Sequence, residues 1–140
     1  MFSSKRARTL IAMSGLAAGL GLWAPAPASA HEVPGPIAAA NATAAAKVSS
    51  SGVLLRAKGI RSLVKPYRGV YCITFEDATL PVAGLTPIAT LTATGYTPWG
   101  MAMVRTTPTV ECGNSAGVLT VITGTARSGR RDLPFYLVVP

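Results

Sequence analysis

From Lys47 onward the chain is a succession of short apolar runs rich in valine, isoleucine, threonine and aromatics, each cut off by glycine, proline or serine after about five to seven residues. Residues 53–56, 60–64, 69–75, 88–94, 101–107, 118–123 and 135–139 all read this way, and 44–48 supplies a further candidate strand. No stretch after Lys47 keeps a helical period over ten residues. The pattern predicts an all-β domain over residues 47–140, an antiparallel sandwich or barrel of about seven to eight short strands.

The residues before it are of another kind. Lys5, Arg6 and Arg8 precede an uncharged apolar stretch over residues 9–24, and Ala28-Ser29-Ala30 ends it with the small residues a signal peptidase requires. Residues 1–30 therefore read as a signal peptide cleaved after Ala30, and the mature chain is expected to be secreted or periplasmic, with no transmembrane span. Residues 31–46, rich in alanine and proline, lack an amphipathic stripe and read as a flexible lead. The formal charge of +8 includes the three leader cations. Without them the chain carries about +5 over about 110 residues.

An exported domain of this size buries a modest core, and Cys72 and Cys112 are the two cysteines available to staple it. Their spacing fits no metal-binding pattern, so a disulfide closing a loop of about forty residues is expected. Cys72 lies inside Gly69-Val70-Tyr71-Cys72-Ile73-Thr74-Phe75. Alternation sets Tyr71, Ile73 and Phe75 on one face, the expected core side, and Val70, Cys72 and Thr74 on the other. Whether that second face is also covered is left open by the pattern.

Gly69-Val70-Tyr71-Cys72, the single later cysteine followed by a glycine-bounded strand, and the closing Asp132-x-x-Phe135-Tyr136-x-Val138-Val139-Pro140 resemble a group of small exported bacterial β domains of unassigned function. The resemblance spans roughly residues 47–140. It implies the fold, export and the disulfide, and implies no activity.

Catalytic signatures fare poorly. Gly113-Asn114-Ser115-Ala116-Gly117 matches the G-x-S-x-G nucleophile elbow, yet a strand follows it rather than a helix, and no histidine lies downstream. It reads as a turn. His31, the first residue after the expected cut, could chelate copper through its amine and ring, but no second histidine completes a ligand set. No metal or cofactor site is expected. Glu76 and Asp77 are adjacent and would point to opposite faces of a strand, while Glu111 and Asp132 are remote in sequence.

Basic residues cluster twice: Arg56, Lys58, Arg61, Lys65 and Arg68 before the Cys72 strand, and Arg127, Arg130 and Arg131 near the end. Joined into one surface they would attract an anionic polymer or an envelope surface; scattered along edges they would discourage strand pairing between molecules. Specific nucleic-acid binding is not expected, because stacking aromatics do not interleave with Arg127, Arg130 and Arg131. Tyr96 and Trp99 are candidates for contact with a ligand such as a sugar ring, or for capping the core. The leading expectation is a noncatalytic exported binding or structural domain that could self-associate; the alternative is a small secreted hydrolase or an N-terminal-histidine copper protein.

Overall fold

The computed structural model of the chain describes residues 35–92 and 99–140. The leader, its expected cleavage site at Ala30, His31 and Tyr96 lie outside the described residues.

The described residues form an all-β sandwich of two sheets. In chain order the strands are β1 (Gly35–Pro36), β2 (Ala44–Val48), β3 (Leu54–Lys58), β4 (Ile60–Tyr67), β5 (Val70–Phe75), β6 (Ile88–Leu91), β7 (Gly100–Arg105), β8 (Val118–Thr125), β9 (Gly129–Arg130) and β10 (Phe135–Val139). One sheet runs β1-β3-β2-β10-β6; the other runs β4-β5-β8-β7, with β9 added beside β8. Every pairing is antiparallel except the two-residue match of β1 with β3. The chain changes sheets at Gly59 between β3 and β4, and the edge strands β6 and β7 lie against each other across the sheets.

Strand alternation builds the core. Tyr71, Ile73 and Phe75 of β5 and Leu119 and Val121 of β8 face Ala44, Ala46 and Val48 of β2 and Phe135, Leu137 and Val139 of β10. The Tyr71 and Phe135 rings meet edge to face with centroids 4.9 Å apart, a favoured arrangement for two quadrupoles. The Tyr71 hydroxyl, at the end of this core, donates to the Ser50 carbonyl at 3.0 Å. Burial pushes its ionisation upward; a hydrogen bond with Thr123 opposes this, the nearby Asp132 charge adds to the rise, and Leu133 opposes it least. It is a neutral structural donor.

The other face of β5 is covered as well. A 3-10 turn, Val110–Cys112, lies over it and brings Cys112 to Cys72, forming the disulfide. Beneath the turn the Thr109 and Thr120 hydroxyls are 2.9 Å apart, and Thr120 Oγ1 donates to Cys112 Sγ at 3.2 Å. Each buried hydroxyl thus has a partner, as burial demands.

The lead differs from its expectation. Ala44, Ala45 and Ala46 belong to β2, the strand between β3 and β10, and all three are buried. The domain therefore begins before Lys47. Alanine's helical propensity is overridden here because small side chains let β2 sit at the centre of the first sheet, with Ala46 opposite Ala57 and Leu137. Farther upstream, Pro36, Ala39 and Ala40 present carbonyls to Arg56 and Lys58, with Arg56 Nη1 donating to Pro36 O at 3.0 Å and Lys58 Nζ to Ala39 O at 2.9 Å.

Candidate anion-binding surface

The eight basic residues singled out above do not act as one group. Arg56 and Lys58 belong to the first sheet and hold the lead. Arg61, near the start of β4, donates to the Glu76 carbonyl at 2.8 Å. Of the other five, Lys65 and Arg68 come to lie beside Arg130 and Arg131 although some sixty residues separate the two pairs along the chain, and Arg127 stands at the tip of the β8–β9 turn.

Gly69 is the junction. It occupies the β4–β5 turn at φ +67°, a left-handed conformation that glycine adopts without penalty. Its carbonyl accepts from Thr123 N–H at 2.9 Å, and the Thr123 carbonyl accepts from Arg131 N–H at 3.0 Å. The end of β4 with Lys65, and the turn with Arg68, are thereby laid beside the segment carrying Arg130 and Arg131. Asp132 locks the two: Oδ1 accepts from Gly69 N–H at 2.6 Å, and Oδ2 from Lys65 Nζ at 3.0 Å. Thr123 Oγ1 donates to the Arg131 carbonyl and accepts from Leu133 N–H. Arg68, Arg127 and Arg131 are exposed and their side chains make no hydrogen bond or ion pair among the described residues.

Partial burial pushes the Asp132 carboxyl up, but the Gly69 N–H, the Lys65 ammonium and the nearby Arg68 outweigh it, so Asp132 titrates below its ordinary value. A carboxyl whose folded-state pKa is depressed stabilises the fold above its unfolded pKa, about 3.9, and that contribution disappears as pH falls through the folded value. Asp132→Asn is expected to lower stability at pH 6 by about 1 kcal/mol and to flatten the acid limb of the stability curve. Thermal melts of both proteins from pH 6 to pH 2 check this, and parallel curves would count against the latch.

Trp99 stands in solvent, 78% exposed, rather than capping the core. Its backbone carbonyl accepts from Ala126 N–H at 3.2 Å, which places it at the tip of the β8–β9 hairpin next to Arg127. An aromatic therefore does accompany the second basic cluster, supplied by the turn residue that precedes β7, more than twenty residues away and invisible to a local reading.

Beyond the hairpin, the outer face of the second sheet carries Met101, Met103 and Arg105 of β7 in register with Gly124, Ile122 and Thr120 of β8. These residues, with Gly129 and Arg130 of β9, line a groove of about 200 Å³. Arg130 donates to Glu111 Oε1 at 2.7 Å. That hydrogen bond, with the Arg130 and Arg105 charges, holds the Glu111 carboxyl below its usual range.

No protein-family model, curated protein or solved structure matches this chain. The surface must be read from its own chemistry.

The remaining carboxylates are engaged locally. Asp77 accepts from the Thr79 hydroxyl at 2.6 Å and from the Thr79 N–H at 2.8 Å, and the hydroxyl contact leads in keeping its carboxyl below the usual range. Ser115 occupies an exposed turn that leads directly into β8, and Gly113 and Asn114 before it have φ of +72° and +53°. That is a turn into a strand, without the following helix that raises a nucleophile. Among the described residues no three His, Cys, Asp or Glu side chains come together to hold a metal.

Arg105, Met101 and Met103 were not among the expected site residues. Strict alternation in Met101-Ala102-Met103-Val104-Arg105 already places the three on one face.

Proposed function

We propose that the protein is an exported, noncatalytic β domain that binds an anionic polymer or envelope surface through the hairpin end of its second sheet. The observation that carries this reading is the convergence at Gly69 of two basic segments, with exposed Trp99 beside the β8–β9 hairpin from which the second segment leads. Three exposed arginines, Arg68, Arg127 and Arg131, make no side-chain hydrogen bond or ion pair among the described residues, and Arg68 acts on Asp132 only through its charge. Positive charge concentrated at one end raises the local concentration of an anionic partner, and an exposed indole adds contact area.

The hydrolase alternative is less well supported. A general acid needs a carboxyl kept protonated near neutral pH, whereas Asp77, Glu111 and Asp132 are all stabilised as anions by their partners. The copper alternative depends on His31.

Binding of dextran sulfate, followed by tryptophan emission, tests the proposal. Affinity should fall about tenfold or more between 50 and 200 mM salt, because counterions released from the polymer drive the association. The Arg68→Ser, Arg131→Ser double variant should bind at least about tenfold more weakly, with unchanged melting. Trp99→Phe should abolish the emission change and thereby separate it from Trp23, the second tryptophan. Salt-insensitive binding, or equal affinity in the double variant, would remove the reading.

A further inference from the structure

The groove on the outer face of the second sheet differs from the basic hairpin in a way that matters for its ligand. Its floor is apolar: Met101, Met103 and Ile122 lie on one face of neighbouring strands, and Met101 and Met103 are 40% and 47% exposed. Its polar rim is nearly balanced. Arg105 and Arg130 line it, and Glu111 is bonded to Arg130. The local sum is one positive charge, carried by Arg105, which makes no hydrogen bond or ion pair among the described residues.

The groove is also shaped by the backbone. Gly124 sits where β9 crosses closest: a Cβ there would lie 3.0 Å from the Gly129 carbonyl carbon, so any larger residue would push β9 and Arg130 away. The hairpin bonds of Thr125 Oγ1 with the Ser128 hydroxyl at 2.6 Å and the Ser128 N–H at 3.1 Å fix the turn that returns the chain as β9. The Val110–Cys112 turn, anchored by the disulfide, holds Glu111 at the rim.

We infer that this groove binds a free monoanionic amphiphile, an alkyl carboxylate, with its chain along Met101, Met103 and Ile122 and its carboxylate at Arg105. A polyanion fits poorly, since Glu111 would repel further negative charge; a cation would meet Arg105; an uncharged chain would leave the excess positive charge of the rim unmatched, because the single Glu111 carboxylate is shared between Arg130 and Arg105. Thioether side chains suit an aliphatic chain of variable shape because they are unbranched and polarisable. The volume equals the share of roughly seven water molecules, room for a short to medium chain and too little for a long one. This site stands on its own lining and does not rest on polymer binding at the hairpin.

The test is a titration of the full chain, labelled with carbon-13 at the methionine methyls, with octanoate, octanol and octyltrimethylammonium. The four methionines are Met1, Met13, Met101 and Met103, so two signals report on the groove and two serve as references. Octanoate should shift the Met101 and Met103 methyls saturably and bind at least tenfold more tightly than either other compound. Arg105→Gln should erase that preference while the melting temperature stays unchanged, because Arg105 makes no hydrogen bond to lose. Met103→Gln should weaken octanoate and octanol alike. Equal affinity for the three amphiphiles would overturn the inference, as would the absence of saturation. It would also fail if the two methyl signals moved on dilution without ligand, since a second copy of the chain would then be the occupant.

Discussion

Replacing Cys72 and Cys112 together by serine is expected to destabilise the domain by about 4 kcal/mol, the loop-entropy value for a bridge across about forty residues. For a domain of this size that corresponds to a fall in melting temperature of roughly 15–20 °C. The bridge joins β5, between β4 and β8, to the turn that covers its outer face. Its loss therefore acts twice: the unfolded chain gains freedom, and the Val110–Cys112 turn loses its covalent tie to Cys72 on the outer face of the sheet. Calorimetry of the double variant measures the sum. A fall below about 3 °C would mean that the turn is held by its other contacts alone and that the unfolded chain is compact without the bridge.

Gly69→Ala is expected to cost about 3 kcal/mol or more, unusually much for a single methyl group at a turn. Two penalties coincide: a left-handed conformation costs an L-residue about 1–2 kcal/mol, and crowding adds about 1–3 kcal/mol. The crowding is with backbone. An added Cβ would lie 2.5 Å from the Thr123 carbonyl oxygen and 2.8 Å from the Arg131 nitrogen, atoms that cannot swing aside. The two strand segments would have to separate, weakening the Asp132 latch and parting Arg68 from Arg131. Gly69→Ala should thus lose both stability and polymer affinity, whereas Gly117→Ala, in open space, should lose neither. Chemical denaturation of the two variants side by side decides it.

Much of the architecture is written locally. Alternation and turn residues place β3 to β8 and β10 within a few residues of where they lie, since a half-buried strand must alternate and a turn must use residues such as Gly69 that tolerate its geometry. The all-β sandwich and the Cys72–Cys112 bridge were legible for that reason. Ala44, Ala45 and Ala46 were harder to assign, because alanine carries no strand signature and its role follows from how closely Ala57 and Leu137 approach. The candidate surface was legible only as parts. Nothing near Arg127 announces that Trp99 will lie beside it, and nothing near Arg56 or Lys58 announces that their side chains will hold Pro36, Ala39 and Ala40. Such pairings arise from strand order, which no local pattern encodes.

The place of β10 between β2 and β6 bears on how the molecule is made. Strands β4, β5, β7 and β8 can pair as soon as residue 125 is available, but β2 and β6 have no shared partner until Phe135–Val139 arrives. The joining of β6 to the rest of the first sheet thus waits for Phe135–Val139, whereas β1, β3 and β2 pair without it. A chain made from its N-terminus therefore completes the second sheet before the first, and β10 is the strand that joins β6 to the β1-β3-β2 segment.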